Sequence, residues 1–182
     1  VGGGANLDTL ESVVRVMKAM QKQGYSLKDV PESGDELIKT IMARKALSDF
    51  RWTTTSEIVN KGGALDLIPK ELYEQWFAEL PEDLRKSLIE TGGEPVGQGM
   101  IHNGKLLVTG IQFGNIIVCT QPKRGCMGSK CNGSSCKILH DPHIPPTHQY
   151  LATYRWFERV FGADVLIHVG THGNLEFLPG KS

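Results

Sequence analysis

The sequence predicts an α/β protein, with an α+β arrangement of the same elements as the alternative, on three observations. Apolar residues recur at helical spacing through residues 1–90. Short β-branched runs follow a composition change at Thr91-Gly92-Gly93-Glu94-Pro95. A final helix then leads through Val165-Leu166-Ile167 into a loop rich in glycine and histidine. The expected organisation is a mainly helical segment, 1–90, followed by an α/β segment, 91–182, made of a β-hairpin and a helix–strand unit.

The elements follow in order. Asp8 caps a helix whose apolar face is Leu10, Val13, Val14, Met17 and Met20, and Gly24 stops it. A second helix is expected from Asp35 to about Leu47, after the breakers Pro31, Ser33 and Gly34. Thr53 to Asn60 caps or extends the next connection. Pro69 opens a helix with Leu72, Tyr73, Trp76, Phe77 and Leu80 on one stripe, and Pro81 opens another bearing Leu84, Leu88 and Ile89. Lys105–Ile111 and Asn115–Thr120 read as the two strands of a hairpin around Gly114. Residues 121–146 carry three of the four cysteines and no periodicity, which predicts a long ordered excursion with a function of its own. Thr147 caps a helix with Tyr150, Tyr154, Phe157 and Phe161 on one face, Gly162 ends it, and Asp164–Val169 reads as a buried strand.

Composition removes several function classes. With 20 Lys plus Arg against 20 Asp plus Glu in 182 residues, and no basic run, the chain lacks the electrostatic footprint of a nucleic-acid binder. No apolar stretch approaches the roughly 18–20 residues needed to span a bilayer. The absence of a signal-like opening and the free cysteines point to a reducing, cytoplasmic setting. A start inside Gly2-Gly3-Gly4 and an end just after the most site-like segment predict a piece of something larger.

That segment, loop 168–180, carries the chemistry. His168, His172 and Glu176 follow a His-x₃-His-x₃-Glu spacing, but Gly170 and Gly173 argue against one continuous helix and for a turn that converges the side chains. Open α/β sheets bind ligands in loops at the carboxyl ends of strands, which is where this loop is expected. Glu176 lies between Leu175 and Phe177, an apolar setting that would hold a proton on a general base or late metal ligand. The plain alternatives are a packed, hydrogen-bonded His168 and a capping or ion-pairing Glu176. A histidine between glycines on a turn gains little from packing, so His172 is the stronger site candidate. Pro179-Gly180-Lys181-Ser182 imitates the end of a phosphate-binding Gly-x₄-Gly-Lys-Ser loop, yet Leu175 stands where the first glycine is required, so no nucleotide site is inferred.

Cys126, Cys131 and Cys136 recur with four residues between them, with Cys119 upstream and His140 and His143 downstream. Thiolates and imidazoles so grouped suit a structural zinc or an Fe–S cluster, although the usual paired Cys-x₂-Cys is missing and free thiols in a reduced protein are the alternative. Cys119, inside a strand, is expected to be merely buried.

The residues from Val165 to Lys181 resemble the signature of the large subunit shared by cobaltochelatase and magnesium chelatase. The resemblance extends through Phe157–Asp164, Pro145-Pro146-Thr147-His148-Gln149-Tyr150, Phe113-Gly114-Asn115 with Gln121-Pro122, and Gly2–Asp8. It implies ATP-dependent insertion of a divalent metal into a tetrapyrrole, with this subunit binding the ring and separate AAA+-type ATPase subunits supplying energy. By that resemblance His172 and Glu176 fall in the catalytic motif, His168 joins them as a transient ligand of the substrate metal, and His148 and Asn174 are ring-binding candidates. The wording Asn174–Lys181 is more similar to cobaltochelatase, implying Co²⁺ and a corrin-type ring on the route to cobalamin. Gly170-Thr171-His172-Gly173 is the magnesium chelatase form and keeps Mg²⁺ with protoporphyrin as the alternative. Gly92–Gly97 and the cysteine-rich excursion depart from the family pattern, the latter allowing an added metal centre. Two competing readings are a non-catalytic Cys/His metal-binding module and a zinc hydrolase using His168, His172 and Glu176.

Overall fold

Local signals set the helices. In the computed structural model, which describes residues 6–48, 53–124 and 141–179, Asp8 accepts the Glu11 backbone N–H at 3.0 Å and starts α1 (Thr9–Lys22). Ser33 caps α2 (Gly34–Arg44) in the same way. This helix ends before the expected Leu47 because Lys45 turns left-handed at φ 56°, letting the Ala46 N–H return to the Ile41 carbonyl and the Ala46 side chain enter the core. The two helices touch closely at Gly34, where a Cβ would lie 2.6 Å from the Glu11 nitrogen.

Thr54 and Glu57 form a reciprocal capping box at the start of α3 (Thr55–Asn60). The following segment, Ala64–Ile68, is a strand, β1, that the periodicity did not predict. Pro69 and Pro81 then precede α4 (Lys70–Ala78) and α5 (Glu82–Gly92), as expected.

The first run read as one hairpin arm is divided. Gly110, at φ 156°, separates β3 (Lys105–Thr109) from β4 (Ile111–Phe113). β3 pairs antiparallel with β1 on one side and with β2 (Ile101–His102) on the other, giving the order β1-β3-β2. β4 pairs with β5 (Ile116–Val118) as the hairpin around Gly114. Since β1 belongs to residues 1–90 and β3 to 91–182, the two segments share one sheet. The protein is thus a mixed α/β structure with small antiparallel sheets.

β3 is central and covered on both faces. Leu106 and Val108 join Ile68, Tyr73, Trp76, Phe77, Leu88 and Trp156 in the largest core, while Leu107 points oppositely to Ile58 and Met100. A third cluster packs Val14 and Met17 of α1 and Leu37 and Ile41 of α2 onto Ile111 and Phe113. Each such side chain contributes roughly 1.5–3 kcal/mol by burial.

Thr147 caps α6 (His148–Trp156), which packs on β3 and is fixed to β1 by a 2.7 Å hydrogen bond from Trp156 Nε1 to Asp66 Oδ2. The helix continues as a π-helical turn, Phe157–Phe161, and stops at left-handed Gly162. A π turn in an expected regular helix re-aims the chain by one residue where it leaves the core.

The segment Asp164–Val169 is not the buried strand its composition predicts. It pairs with no strand among the described residues, and Val165, Leu166 and Ile167 are 72%, 50% and 63% exposed. Apolar β-branched residues form a strand only where a neighbour supplies ladder hydrogen bonds and a face to cover them. Among the described residues no helix is long and apolar enough to cross a membrane.

Candidate functional site

The site loop leaves this exposed segment, not the carboxyl end of a sheet strand, so the open-sheet rule does not locate it. Gly173 is extended at φ −150°, and Asn174–Phe177 forms a single 3₁₀ turn. The combination brings His172 and Glu176 together, His172 Nδ1 lying 2.9 Å from Glu176 Oε1. Both are open to solvent, their side chains being 80% and 46% exposed, so the apolar enclosure expected around Glu176 is not formed. If the imidazole is neutral, a proton on Nδ1 shared with the carboxylate leaves the Nε2 lone pair for a metal or a proton.

The loop is tethered from the opposite side. Asn174 donates its backbone N–H to Gln121 Oε1 at 2.7 Å and its side-chain amide to the Pro122 carbonyl at 2.9 Å. Gln121 Nε2 in turn donates to the hydroxyls of Tyr150, at 3.2 Å, and Tyr154, at 3.0 Å. These tyrosines, one helical turn apart on α6, stack at 4.8 Å. Burial, reinforced by the Tyr154 hydroxyl, pushes the Tyr150 phenol upward, so it remains a neutral donor.

His168 belongs to this aromatic side. Its ring stacks on Tyr154 with centroids 6.0 Å apart, and Nε2 is 3.5 Å from the tyrosine hydroxyl. Among the described residues no three His, Cys, Asp or Glu side chains form a group able to hold a metal ion, so His168, His172 and Glu176 are not assembled as one ligand set.

His148 is interior, at 3% exposure. Its Nε2 lies 2.8 Å from the Gly93 carbonyl, which can only accept, so this nitrogen carries the proton of the neutral ring. Nδ1 then accepts from the Tyr73 hydroxyl at 2.7 Å. Both ring nitrogens are engaged within the fold, and the ring fills the space beside Gly92 and Gly97.

Cys126, Cys131, Cys136 and His140 lie outside the described residues. Cys119 is half-buried against the largest core, and burial pushes its thiol up to about 11, which makes it inert. His143 is on the surface, its backbone N–H held by Asp141. Gln121 and Tyr154 were not singled out as site residues by sequence reasoning. The spacing of Tyr150 and Tyr154 showed a shared helix face, but nothing local linked that face to residue 121.

Comparison with known proteins decides the family. The family model described as CobN/Magnesium Chelatase matches residues 1–182. The chain belongs to the CobN/magnesium chelatase family. An uncharacterised protein of Methanocaldococcus jannaschii is 51% identical over all of the chain and 15% of its own length. The aerobic cobaltochelatase subunit CobN of Pseudomonas aeruginosa is 35% identical over 100% of the chain and 14% of the relative. A magnesium-chelatase subunit of Rhodobacter capsulatus is 31% identical over 99% and 14% respectively. Among solved structures, the catalytic subunit of cobaltochelatase from Mycobacterium tuberculosis superposes with a TM-score of 0.73 at 31% identity, covering 99% of this chain and 15% of that one. The chain therefore spans about one seventh of the length of these relatives.

Proposed function

We propose that this chain is a segment of the ring-binding large subunit of an ATP-dependent metal chelatase, and that His172 and Glu176 act in the insertion of Co²⁺ into a corrin-type ring. The observation that carries the reading is the solvent-facing His172–Glu176 pair on a tethered loop. A tetrapyrrole takes up a divalent metal only as two pyrrole N–H protons leave. An imidazole nitrogen and a carboxylate side by side can accept those protons and replace part of the ion's water shell. In the tautomer described above, Glu176 orients the imidazole and His172 Nε2 faces the incoming reactants. His168 supplies a further transient donor from the aromatic side, and Asn174 holds the ring-facing loop to Pro122, while His148, enclosed between Tyr73 and Gly93, acts only by supporting the fold.

The imidazole content favours cobalt, which accepts mixed nitrogen and oxygen donors, over magnesium, which prefers oxygen and dehydrates reluctantly. Mg²⁺ with protoporphyrin is the second reading, favoured by the similarity to the magnesium-chelatase relative of Rhodobacter capsulatus. AAA+-type ATPase subunits complete the complex in the cytoplasm, where Cys126, Cys131 and Cys136 can hold a zinc or Fe–S centre.

The test is insertion by the full-length subunit with its ATPase partners and ATP, comparing Co²⁺ and a metal-free corrin-type ring with Mg²⁺ and protoporphyrin. The expected result is ring binding without ATP and ATP-dependent insertion of Co²⁺. Failure to bind either ring contradicts the proposal, and faster Mg²⁺ insertion selects the second reading. The 182-residue chain alone is expected to insert neither metal; sustained ATP-independent insertion by it would overturn that expectation.

A further inference from the structure

We infer that Gln121 is a positioning residue for the insertion reaction, a single amide that fixes the His172–Glu176 loop relative to the tyrosine pair whose Tyr154 holds His168. The inference rests on the catalytic reading of His172 and Glu176 above and adds a residue that touches neither of them.

Hydrogen-bond roles determine how this amide is placed. The Asn174 backbone N–H can only donate, so the Gln121 atom 2.7 Å away is the carbonyl oxygen. The amino end must then face Tyr150 and Tyr154, to which it donates at 3.2 and 3.0 Å. Turning the amide over would set N–H against N–H at the loop, so one orientation satisfies both ends.

A second contact depends on the same oxygen. A Cβ on Gly173 would stand 3.1 Å from Gln121 Oε1, a tight approach of the loop to the amide. His172, immediately before Gly173, and Glu176, two residues after Asn174, are thereby located by the 121–122 segment. His168 is located by Tyr154, whose hydroxyl also accepts from Gln121. Gln121 thus touches both the residue that tethers the His172–Glu176 turn and the tyrosine that holds His168. A displacement of about 1 Å in a catalytic group can cost about 10²-fold in rate.

The experiment compares Gln121→Leu, Gln121→Glu and Gly173→Ala in the full-length subunit, with Glu176→Gln as control, measuring ring affinity, melting temperature and kcat per ring-binding site. The leucine loses all three hydrogen bonds, and its kcat is expected to fall about 10–100-fold with ring affinity and melting temperature near those of the parent. Glutamate keeps an acceptor for the Asn174 N–H and lets the tyrosine hydroxyls donate to its second oxygen, so it should recover kcat to within about threefold. Gly173→Ala retains Gln121 and displaces its oxygen by only a few tenths of an ångström, so it should lower kcat in the same direction but by less than the leucine does. If Glu176→Gln is inactive while Gln121→Leu retains kcat within about threefold of the parent, the positioning role is wrong and the catalytic reading stands. If Glu176→Gln itself retains the parental rate, the catalytic reading fails and this inference with it. Loss of rate proportional to loss of folded protein, without rescue by glutamate, assigns Gln121 to structure alone and overturns the inference.

Discussion

Glu176→Gln in the full-length subunit is expected to lower metal insertion by about 10²–10⁴-fold while leaving ring binding nearly intact. Glutamine keeps the size of the side chain and a carbonyl oxygen, so it can still accept from His172 Nδ1 across the 2.9 Å contact. What disappears is the negative charge, and the neutral amide can neither receive a pyrrole proton nor offset the charge of an incoming cation. The loss should therefore fall on kcat. A solvent-exposed side-chain contact of this kind contributes little to stability, so the melting temperature should change little. A structural cap would give the opposite pattern, with lower stability and activity that follows the amount of folded protein.

The largest expected stability effect belongs to His148. Truncation to alanine should cost the chain about 2–5 kcal/mol, because it opens a cavity and strands both the Tyr73 hydroxyl and the Gly93 carbonyl. Burial holds His148 below its ordinary value of 6.5, against the opposing pull of the Gly93 carbonyl and the Glu94 carboxylate. The folded chain therefore keeps this ring neutral where the unfolded chain has begun to bind a proton. The contribution is complete above pH 6.5 and declines as the pH falls from there through the folded-state value. Urea unfolding above and below pH 6.5 checks the sign: the parental midpoint should drop on acidification more steeply than that of His148→Ala. Parallel slopes would show that His148 does not carry the dependence.

Helices were legible because their instructions are local. Asp8, Pro69, Pro81 and Thr147 each start a helix within a residue of where the chain shows one, and Gly162 ends the last. Strands depend on partners. Ala64–Ile68 has one β-branched residue and alternates weakly, yet becomes β1 because β3 pairs with it. Val165–Val169 has a far stronger β composition and pairs with nothing among the described residues, since composition records suitability for a covered surface without supplying one.

The site divides along the same line. The His172–Glu176 contact spans four residues and follows from spacing once Gly173 is recognised as breaking any continuous helix. The apolar neighbours of Glu176 suggested enclosure, but the single 3₁₀ turn leaves the carboxylate outside. Gln121 meets Asn174 across 53 residues, a proximity no local pattern encodes. His148 could be recognised by family motif, whereas its engagement by Tyr73 and Gly93 required the fold.

The most direct measurement of the central claim is a double-mutant cycle on insertion rate, using His172→Ala, Glu176→Gln and the pair together in the full-length subunit at saturating ring. If the two side chains act as one unit, the double variant should be no slower than the slower single variant, to within about threefold. Losses that multiply, or single variants that insert metal at the parental rate, would contradict the account.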